Sequence, residues 1–393
     1  MTASMPKITF WRVVFAALML GGVWSAYVRL TQGLAGSTNL TDQFPWGIWI
    51  GFDVLCGVGL AAGGFTLAAI VHIFNLEEYK PVVRPAILTA FLGYVLVCVA
   101  LIFDLGRPWR IWHPLIMWNP KSVMFEVGWC VTLYTTVLFL EFFPLVLERF
   151  KLTKAIKAMK SVMPLIIILG IVLSTLHQSS LGSLYLIMKG KLHPLWYTPL
   201  LPVMFYISAI CVGLAMTIFE SWHSARAFGR HLEWPLIQKL SRLLAVLLSL
   251  YVVMRLFDVT QRHAWQYLEK PGWESRLFML EMVLLIVPAL LLFREKTRQN
   301  PTGLYVTVVM FLLGFVTNRL NISITGMEAS SGVVYVPKWT EVAVTFAMVG
   351  AGFGIFMLAA KNLPVFESSH EKETEGERNG RLQDAIPAGA SGD

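Results

Sequence analysis

Hydrophobic and polar positions along this chain separate into ten long apolar runs, divided by shorter polar segments. Each run is close to, or longer than, the roughly 20 residues that a helix needs to cross the hydrocarbon core of a bilayer. The runs lack the polar–apolar alternation of membrane β-barrel strands. The pattern therefore predicts an all-α polytopic membrane protein, because helices satisfy their own backbone groups in lipid. The ten predicted helices lie near residues 9–29, 46–74, 84–104, 122–148, 159–180, 200–222, 240–258, 276–294, 303–323 and 340–361.

Composition and charge agree with this picture. The chain is 56% hydrophobic and 14% charged, whereas soluble domains are about 25% charged. Its net charge of +8 is explained by the positive-inside rule, so we expect a lipid bilayer and no nucleic acid as its surroundings. Lys and Arg concentrate in segments such as ERFKLTKAIKAMK, residues 148–160, which predicts cytoplasmic N- and C-termini; the bias is weaker without the C-terminal tail. Nine tryptophans lie near predicted outer ends, as in an aromatic belt: Trp46, Trp49, Trp109, Trp112, Trp118, Trp196, Trp265, Trp273 and Trp339.

The two ends of the chain differ from its middle. The first apolar run is too long for the apolar part of a signal peptide and no small-residue cleavage site follows it, which predicts a retained helix. Residues 1–8 form a polar lead, and residues 362–393 are charged and lack an apolar stripe, which predicts a disordered cytoplasmic tail. We expect a single transmembrane domain over residues 9–361.

Cysteine and histidine usage limits the possible metal centres. Cys56, Cys98, Cys130 and Cys211 occur singly and there is no CxxC, whereas iron–sulfur and structural zinc sites need clustered thiolates. We expect no metal in this chain, so any iron–sulfur cluster belongs to another subunit.

A buried b-type haem would need axial ligands, commonly two histidines on facing helices. Only His72, His177 and His223 fall within or at the ends of predicted helices, and the first and last sit at helix ends. We therefore expect no haem, and a dihaem cytochrome b anchor remains an alternative.

Ionisable residues inside the apolar runs are the main functional signal. A charge at the bilayer centre costs about 2.5–3.5 kcal/mol on insertion scales, so such residues are usually functional or paired. Asp104 with Arg107, and Arg255 with Asp258, are three apart on one helix face, which favours local ion pairs. The outer set is Asp53, Asp104, Arg107, Glu126, His177, Arg255, Asp258, Glu281, Arg319 and Glu341, and a smaller inner set is Arg84, Glu141, Glu220 and His223.

Two stretches predict a quinone site near the outer face. FPWGIWIGFDVLCGVGLAAGGF (44–65) carries Trp46 and Asp53, and STLHQSSLGSLY (174–185) carries His177 and Gln178. Such polar side chains at membrane depth must line protein or water. An imidazole can bind a carbonyl oxygen and exchange a proton, and a desolvated carboxylate takes up a proton readily. We hypothesise that Asp53 and His177 face each other across a quinone headgroup, with Trp46 beside small residues that admit a flat ring.

These segments, together with VVRPAIL, SVMFEVGWC, LEFFPLVLERF, the HPLW that follows the second stretch, and VPKWTEVAV, resemble the HybB-type membrane subunits of the NrfD/PsrC-like (polysulfide reductase) family. The resemblance covers essentially all ten runs. The segment NRLNISITGM, residues 318–327, is more similar to DsrP-type relatives.

The resemblance implies two four-helix bundles with flanking helices in the bacterial inner membrane, without haem or metal. It implies a menaquinone or ubiquinone site near the periplasmic face, against a ferredoxin-like iron–sulfur subunit of a hydrogenase or multihaem cytochrome complex. It also implies a proton route through Arg84, Tyr94, Glu126 and Glu220, which match the positions of polar residues in HybB-type proteins.

The preferred interpretation is a quinone-reactive membrane subunit that is not an enzyme by itself. A secondary transporter is the other alternative, but transporters often carry paired, Gly- or Pro-broken helices and a midplane site. Here Pro144, Pro164, Pro202 and Pro288 lie near predicted helix ends, and the polar cluster lies towards one face.

Overall fold

The computed structural model describes residues 9–269 and 272–366. Within these ranges ten helices are long and apolar enough to cross a membrane, which confirms the ten-helix prediction. The polar lead and nearly all of the tail predicted to be disordered lie outside the described residues. The helices are α1 (Phe10–Ser37), α2 (Trp49–His72), α3 (Lys80–Asp104), α4 (Val123–Arg149), α5 (Thr153–Leu186), α6 (Leu201–Phe228), α7 (Trp234–Gln261), α8 (Trp273–Phe293), α9 (Pro301–Ser331) and α10 (Trp339–Asn362).

The helices form two four-helix bundles. The first bundle contains α2, α3, α4 and α5, and the second contains α6, α7, α8 and α9. Helices α1 and α10 pair with each other and flank the first bundle through α3. The predicted arrangement of two bundles with flanking helices is therefore confirmed. We call the end at which α2 and α4 begin the outer end, and the opposite end the inner end.

Helix α2 joins the two bundles, because it packs on α3 and α5 on one side and on α6 and α9 on the other. Its small residues allow close approach, which is how helices associate in a membrane. A Cβ on Gly213 of α6 would lie 2.9 Å from the backbone of Ala62, and a Cβ on Gly64 would lie 2.7 Å from the Cβ of Ala90 on α3.

Two helices depart from α-helical geometry at their outer halves. Helix α2 begins with a π-helical segment, Trp49–Cys56, and α9 contains another, Asn321–Thr325. These segments pack against each other at Gly51, whose Cβ, if present, would lie 2.5 Å from Ser323 Oγ. Such π-helical turns are rare and occur frequently at functional sites, so this contact marks the region to inspect for chemistry.

The longest outer connection lies between α3 and α4. It contains two short helical turns, Pro108–Arg110 and His113–Ile116. Trp129 on α4 fixes it in place, because its indole nitrogen donates to the Pro114 carbonyl at 2.7 Å. Trp109 and Trp118 stay exposed, as expected for side chains at a membrane interface or under a partner.

Candidate functional site

A column of polar side chains runs through the first bundle between α3, α4 and α5. We call it the polar column: Tyr94, Glu126, Tyr134, Glu141, Ser174, His177, Gln178 and Ser180. Its α4 members recur about every two turns and so share one face. At the outer end Glu126 is exposed and accepts a hydrogen bond from the Ser180 hydroxyl. Glu126 thus forms the outer mouth of the column.

The middle of the polar column is sealed from solvent. His177 is 0% exposed, its ring lies 5.7 Å from that of Tyr94, and the Tyr94 ring lies 4.7 Å from that of Tyr134 in an edge-on arrangement. Gln178 turns towards α2 and donates to the Val58 carbonyl at 3.3 Å.

Several polar atoms in this middle section have no hydrogen-bond partner among the described residues. They are both ring nitrogens of His177 and the hydroxyls of Tyr94, Tyr134 and Ser174, of which the Ser174 hydroxyl lies near both tyrosines without hydrogen-bond geometry. An unpaired buried polar group costs about 1–3 kcal/mol, and most native proteins have few of them. A run of such atoms is therefore an unusual, energetically unfavourable feature that calls for a functional explanation.

The inner part of the polar column continues to Glu141. Gly170 on α5 makes room for its carboxylate, because a Cβ there would lie 2.9 Å from Glu141 Oε1 and 3.8 Å from the Tyr134 ring. At the inner end Arg84 pairs with Glu148 at 3.6 Å and donates to the Pro364 carbonyl. Polar groups thus follow one another from the outer to the inner end.

A separate cavity of about 510 Å³ lies between α2, α3, α6 and α10. We call it the lateral cavity, because it opens beside Val349, Phe353 and Met357 of α10, which are exposed on the lipid-facing side. Most of its lining is apolar. Its polar residues are Asp53 towards the outer end and Thr89, Glu220, His223 and Ser224 towards the inner end.

Asp53 is held at the wall of the lateral cavity by the flanking helix. It is 7% exposed, and its Oδ2 accepts a hydrogen bond from Thr345 of α10 at 2.9 Å. Asp53 lies in the π-helical segment of α2. The wider turn directs Asp53 towards α10, whereas Val58, shortly after it, presents its carbonyl to α5.

Six of the eight site residues predicted from the sequence fall into two groups. Asp53 and Glu220 line the lateral cavity, while Tyr94, Glu126, His177 and Gln178 belong to the polar column; the lining of the cavity includes neither His177 nor Gln178. The remaining two lie near the ends of the first bundle. Trp46 packs edge-on against Tyr185 at 6.0 Å, near the outer end of α5, and Arg84 lies at the inner end.

The second bundle holds a different kind of polar cluster, which we call the paired network: Trp196, Arg255, Glu281, Asn318, Arg319 and Asn321. The Glu281 carboxylate is 0% exposed. It accepts hydrogen bonds at 2.8 Å from Trp196, Asn318 and Asn321 and lies 3.5 Å from the Arg255 guanidinium. Among the described residues of this network, only Arg255 Nε lacks a partner.

Arg319 completes the paired network. Its guanidinium donates to Asn318 at 2.7 Å and to Ser208 at 2.6 Å. It also lies over the rings of Phe205 and Phe315, 3.7 and 4.6 Å from their centroids. Such cation–π contacts are worth up to about 2 kcal/mol or more when desolvated. Glu281 and Arg319, conspicuous in the sequence, thus have structural partners.

The predicted ion pair between Arg255 and Asp258 is wrong. Arg255 reaches across the bundle to Glu281, and Asp258 pairs with Arg262 at 2.6 Å and accepts from Thr198 at 2.5 Å. Spacing on one helix brings two side chains within reach, but it does not determine which partner each charge takes once the helices pack.

A third polar group ties the outer ends of α1, α2 and α10 together. Glu341 accepts hydrogen bonds from the Tyr335 hydroxyl at 2.5 Å and from the Asn39 and Lys338 backbone amides. Burial, and then its hydrogen bond to Glu341, raises the pKa of Tyr335. The Trp49 indole donates to the Glu341 carbonyl. These contacts fix the start of the π-helical segment.

The sequence did not single out several site residues. Tyr134 lies eight positions after Glu126 on α4, so helical spacing alone could have indicated it. Ser174 lies one turn before His177 in the quoted stretch. Thr345 and Thr89 gave no such signal, because ordinary threonines are common in membrane helices and only the fold places them beside Asp53 and Glu220.

The described residues contain no group of three or more His, Cys, Asp or Glu that could hold a metal ion. His177 faces tyrosines, and His223 contacts Tyr305 and Phe219.

Comparisons with known proteins give a consistent result. The family model described as polysulphide reductase, NrfD, matches residues 36–329. The chain is 36% identical over 364 residues to a protein of Nitratidesulfovibrio vulgaris, covering 90% of this chain and 93% of that one. It is 33% identical over 359 residues to the probable Ni/Fe-hydrogenase 2 b-type cytochrome subunit of Escherichia coli, covering 90% and 91%. It is also 29% identical over 402 residues to the menaquinone reductase integral membrane subunit of Nitratidesulfovibrio vulgaris, covering 94% of both.

Proposed function

The chain belongs to the NrfD (polysulphide reductase) family, and on this premise we propose that it exchanges electrons between the membrane quinone pool and an iron–sulfur partner subunit. Relatives named as menaquinone reductase and hydrogenase subunits support this assignment. We place it in a bacterial inner membrane, with its outer end in the periplasm against the partner.

The observation that carries the proposal is the lateral cavity with Asp53 at its outer part. Ligand sites are typically 300–1,000 Å³, mostly apolar, with a few placed polar groups, and this cavity of about 510 Å³ fits that description. Its opening towards lipid suits a carrier with a long apolar chain. The outer position of Asp53 keeps the headgroup near a periplasmic electron partner.

A quinone bound there supplies the redox chemistry, because it accepts or releases two electrons and two protons. Asp53 orients the ring and exchanges a proton with it. Thr345, which donates to Asp53 Oδ2, fixes the carboxyl group and leaves its other oxygen for the ligand. The apolar walls exclude bulk water, so protons reach the site only through placed side chains.

The polar column is the proposed route for protons across the first bundle. Its orphaned atoms at Tyr94, Tyr134, Ser174 and His177 are suited to binding a chain of ordered waters, each of which typically makes about three hydrogen bonds. Glu126 exchanges protons at the outer mouth, and Glu141 relays them towards the inner end. His177 and Gln178 thus serve the proton route in this proposal, and Trp46 closes its outer side.

The decisive experiment compares Asp53→Asn with Asp42→Asn in the intact complex reconstituted into quinone-containing vesicles. Asn keeps the shape but cannot exchange a proton, so quinone-linked turnover should fall by the order of 100-fold typical of lost acid–base catalysis. Asp42, exposed in the α1–α2 loop, is the matched control. Full turnover by assembled Asp53→Asn would remove Asp53 from the site.

A haem-bearing anchor is the second candidate, because one relative is named as a b-type cytochrome subunit. An absorption spectrum of the purified chain separates the two. A Soret band that titrates with the chain would favour haem, and its absence with retained quinone-linked turnover of the complex would favour the quinone proposal.

A further inference from the structure

The inner part of the lateral cavity has its own set of polar groups, distinct from Asp53. Glu220 accepts a hydrogen bond from Thr89 at 2.7 Å through Oε2, while its Oε1 is buried with no partner among the described residues. His223 shares a hydrogen bond of 3.0 Å with the Tyr305 hydroxyl. Glu220 lines the lateral cavity, and an unpartnered carboxyl oxygen at such a wall can hydrogen-bond a ligand that reaches it.

Phe219 and His223 contribute aromatic rings to the lining of this inner part, and Tyr305 packs against both from outside the lining. The His223 ring lies 4.4 Å from that of Phe219 and 5.7 Å from that of Tyr305, and the Tyr305 ring stacks on Trp222 at 5.2 Å. Flat walls of this kind favour flat ligands, because offset and edge-on ring contacts add about 0.5–1.5 kcal/mol beyond burial.

The inner and outer parts are well separated. The lining residues of α3 extend from Thr89 to Ala100, which at 1.5 Å per residue corresponds to about 16 Å along the helix. A single ring cannot contact both Asp53 and Glu220 over such a length. The lateral cavity therefore presents two polar ends joined by an apolar passage.

We propose that Thr89, Glu220 and His223 form a second binding site for the headgroup of a quinone or quinol, facing the inner leaflet, with Tyr305 orienting the His223 ring. The lining of the lateral cavity contains no Lys or Arg among the described residues, and Arg230 lines only the smaller adjoining pocket. A phospholipid phosphate in the lateral cavity would therefore meet the Glu220 carboxyl group without a cation in that lining. A quinone has a neutral ring with two oxygens and an apolar chain, so it does not incur the electrostatic cost of placing an anion there. The ring keeps its oxidation state there, and the site holds the carrier before it passes to Asp53.

Glu220 also contacts a smaller inner pocket of about 60 Å³, which it lines together with Ser221, Ser224 and His231. Glu220 and Ser224 line both spaces. The carboxyl group can thus exchange a proton with the inner side while it hydrogen-bonds the ring. This inference rests on the proposed use of quinone and adds a second site to it.

The test is photolabelling of the complex with a photoreactive azidoquinone in quinone-free nanodiscs, followed by mass spectrometry of labelled peptides. Two sites should be labelled, one near Asp53 and one within residues 216–228, and both should be competed by unlabelled quinone. His223→Phe keeps the ring but removes the polar nitrogens, so it should lower inner labelling by about ten-fold, the effect of losing roughly one buried hydrogen bond. Outer labelling should stay within about two-fold.

Ala227→Trp provides an independent variant, because Ala227 lines the inner part and a large side chain there should block it. Labelling near Asp53 alone in the unmodified complex would overturn the second site and leave the proposed function intact. Labelling at neither site would count against the proposed function itself. Retention of phospholipid that quinone cannot displace would show that the inner part holds a structural lipid, and would overturn the inference.

Discussion

The two bundles bury polar side chains in opposite ways. In the second bundle, Glu281 is surrounded by three hydrogen-bond donors and a guanidinium. In the first bundle, His177 and its tyrosine neighbours are equally buried, yet their ring nitrogens and hydroxyls have no hydrogen-bond partner in the described part of the chain. Both clusters cross-link helices in the same membrane, so depth and burial alone do not distinguish them. The two clusters differ in whether their buried polar atoms have hydrogen-bond partners.

This difference teaches how to interpret charged residues in a membrane sequence. A buried charge that is paired and hydrogen-bonded holds helices together, and removing one partner is strongly destabilising. A buried polar atom left without a partner lowers stability and persists only where it has a use. We therefore expect the paired network to maintain the fold and the polar column to carry the function.

The largest expected effect comes from breaking the paired network. Glu281→Leu leaves the Arg255 charge buried without its carboxylate, a change that costs about 3–5 kcal/mol in comparable cases. The variant should be lost during assembly or melt far earlier, measured by thermal challenge followed by size-exclusion chromatography. Glu269→Leu, at an exposed position near the outer end of α7, is the control. Normal melting of Glu281→Leu would show that the two bundles do not differ in the proposed way.

The opposite result is expected for the polar column. His177→Phe removes two unpartnered nitrogens and leaves an apolar ring, so folding stability should change by less than about 1 kcal/mol, or rise. The membrane potential generated per quinone turnover in vesicles should nevertheless fall strongly, because the column is interrupted. Ser174→Ala is a milder variant at the same depth and should have a smaller effect in the same direction. A fully coupled His177→Phe protein would contradict the proton route.

A smaller effect is expected at Gly170. Its added Cβ would lie 2.9 Å from Glu141 Oε1, so Gly170→Ala should displace the carboxylate by a few tenths of an ångström without unfolding the bundle. Proton coupling should drop a few-fold, with assembly unchanged. Gly128→Ala is the matched control, since its Cβ would only meet Pro114 at 3.7 Å. Equal behaviour of the two variants would exclude Glu141 from the route.

The smallest expected effect concerns His193, where the connection between α5 and α6 contacts α9. His193, between α5 and α6, donates its backbone amide to the Gly326 carbonyl at 2.7 Å and accepts from Leu195 N through Nδ1. Burial lowers the pKa of His193. The unfolded chain therefore binds a proton at His193 more readily than the folded chain does. The stability that comes from burying the neutral His193 ring is present above about pH 6.5 and is lost as the pH falls below it. The melting temperature should decrease slightly between pH 7 and pH 5, and His193→Gln should weaken that dependence.

Much of the fold follows from the sequence because lipid imposes a simple rule. Every backbone group must be paired within its helix, so apolar runs give the ten helices directly. The pairing of helices into two bundles came from the resemblance of motifs, since apolar periodicity does not specify neighbours. The small residues of GLAAGG identify α2 as a helix with close neighbours only once Gly213 and Ala90 are placed beside it.

The site was predicted in parts. The sequence identified Asp53 and His177 as polar residues at membrane depth, but not the compartment that each one faces. A regular α-helix would have predicted the orientation of Asp53 from its spacing, whereas the π-helical segment changes that phase. The Arg255–Asp258 pair failed because Arg255 pairs with Glu281 on another helix, while Asp258 pairs with Arg262 one turn further along its own helix.

The π-helical start of α2 has a consequence for how this membrane subunit can vary. Helix α2 faces the lateral cavity on one side and the polar column on the other. The shift in helical phase after Trp49 determines which of its residues faces each of them. Gaining or losing one residue in that stretch would rotate every position before it relative to those after it. The number of residues between Trp49 and Cys56 is thus as strictly constrained as their identities.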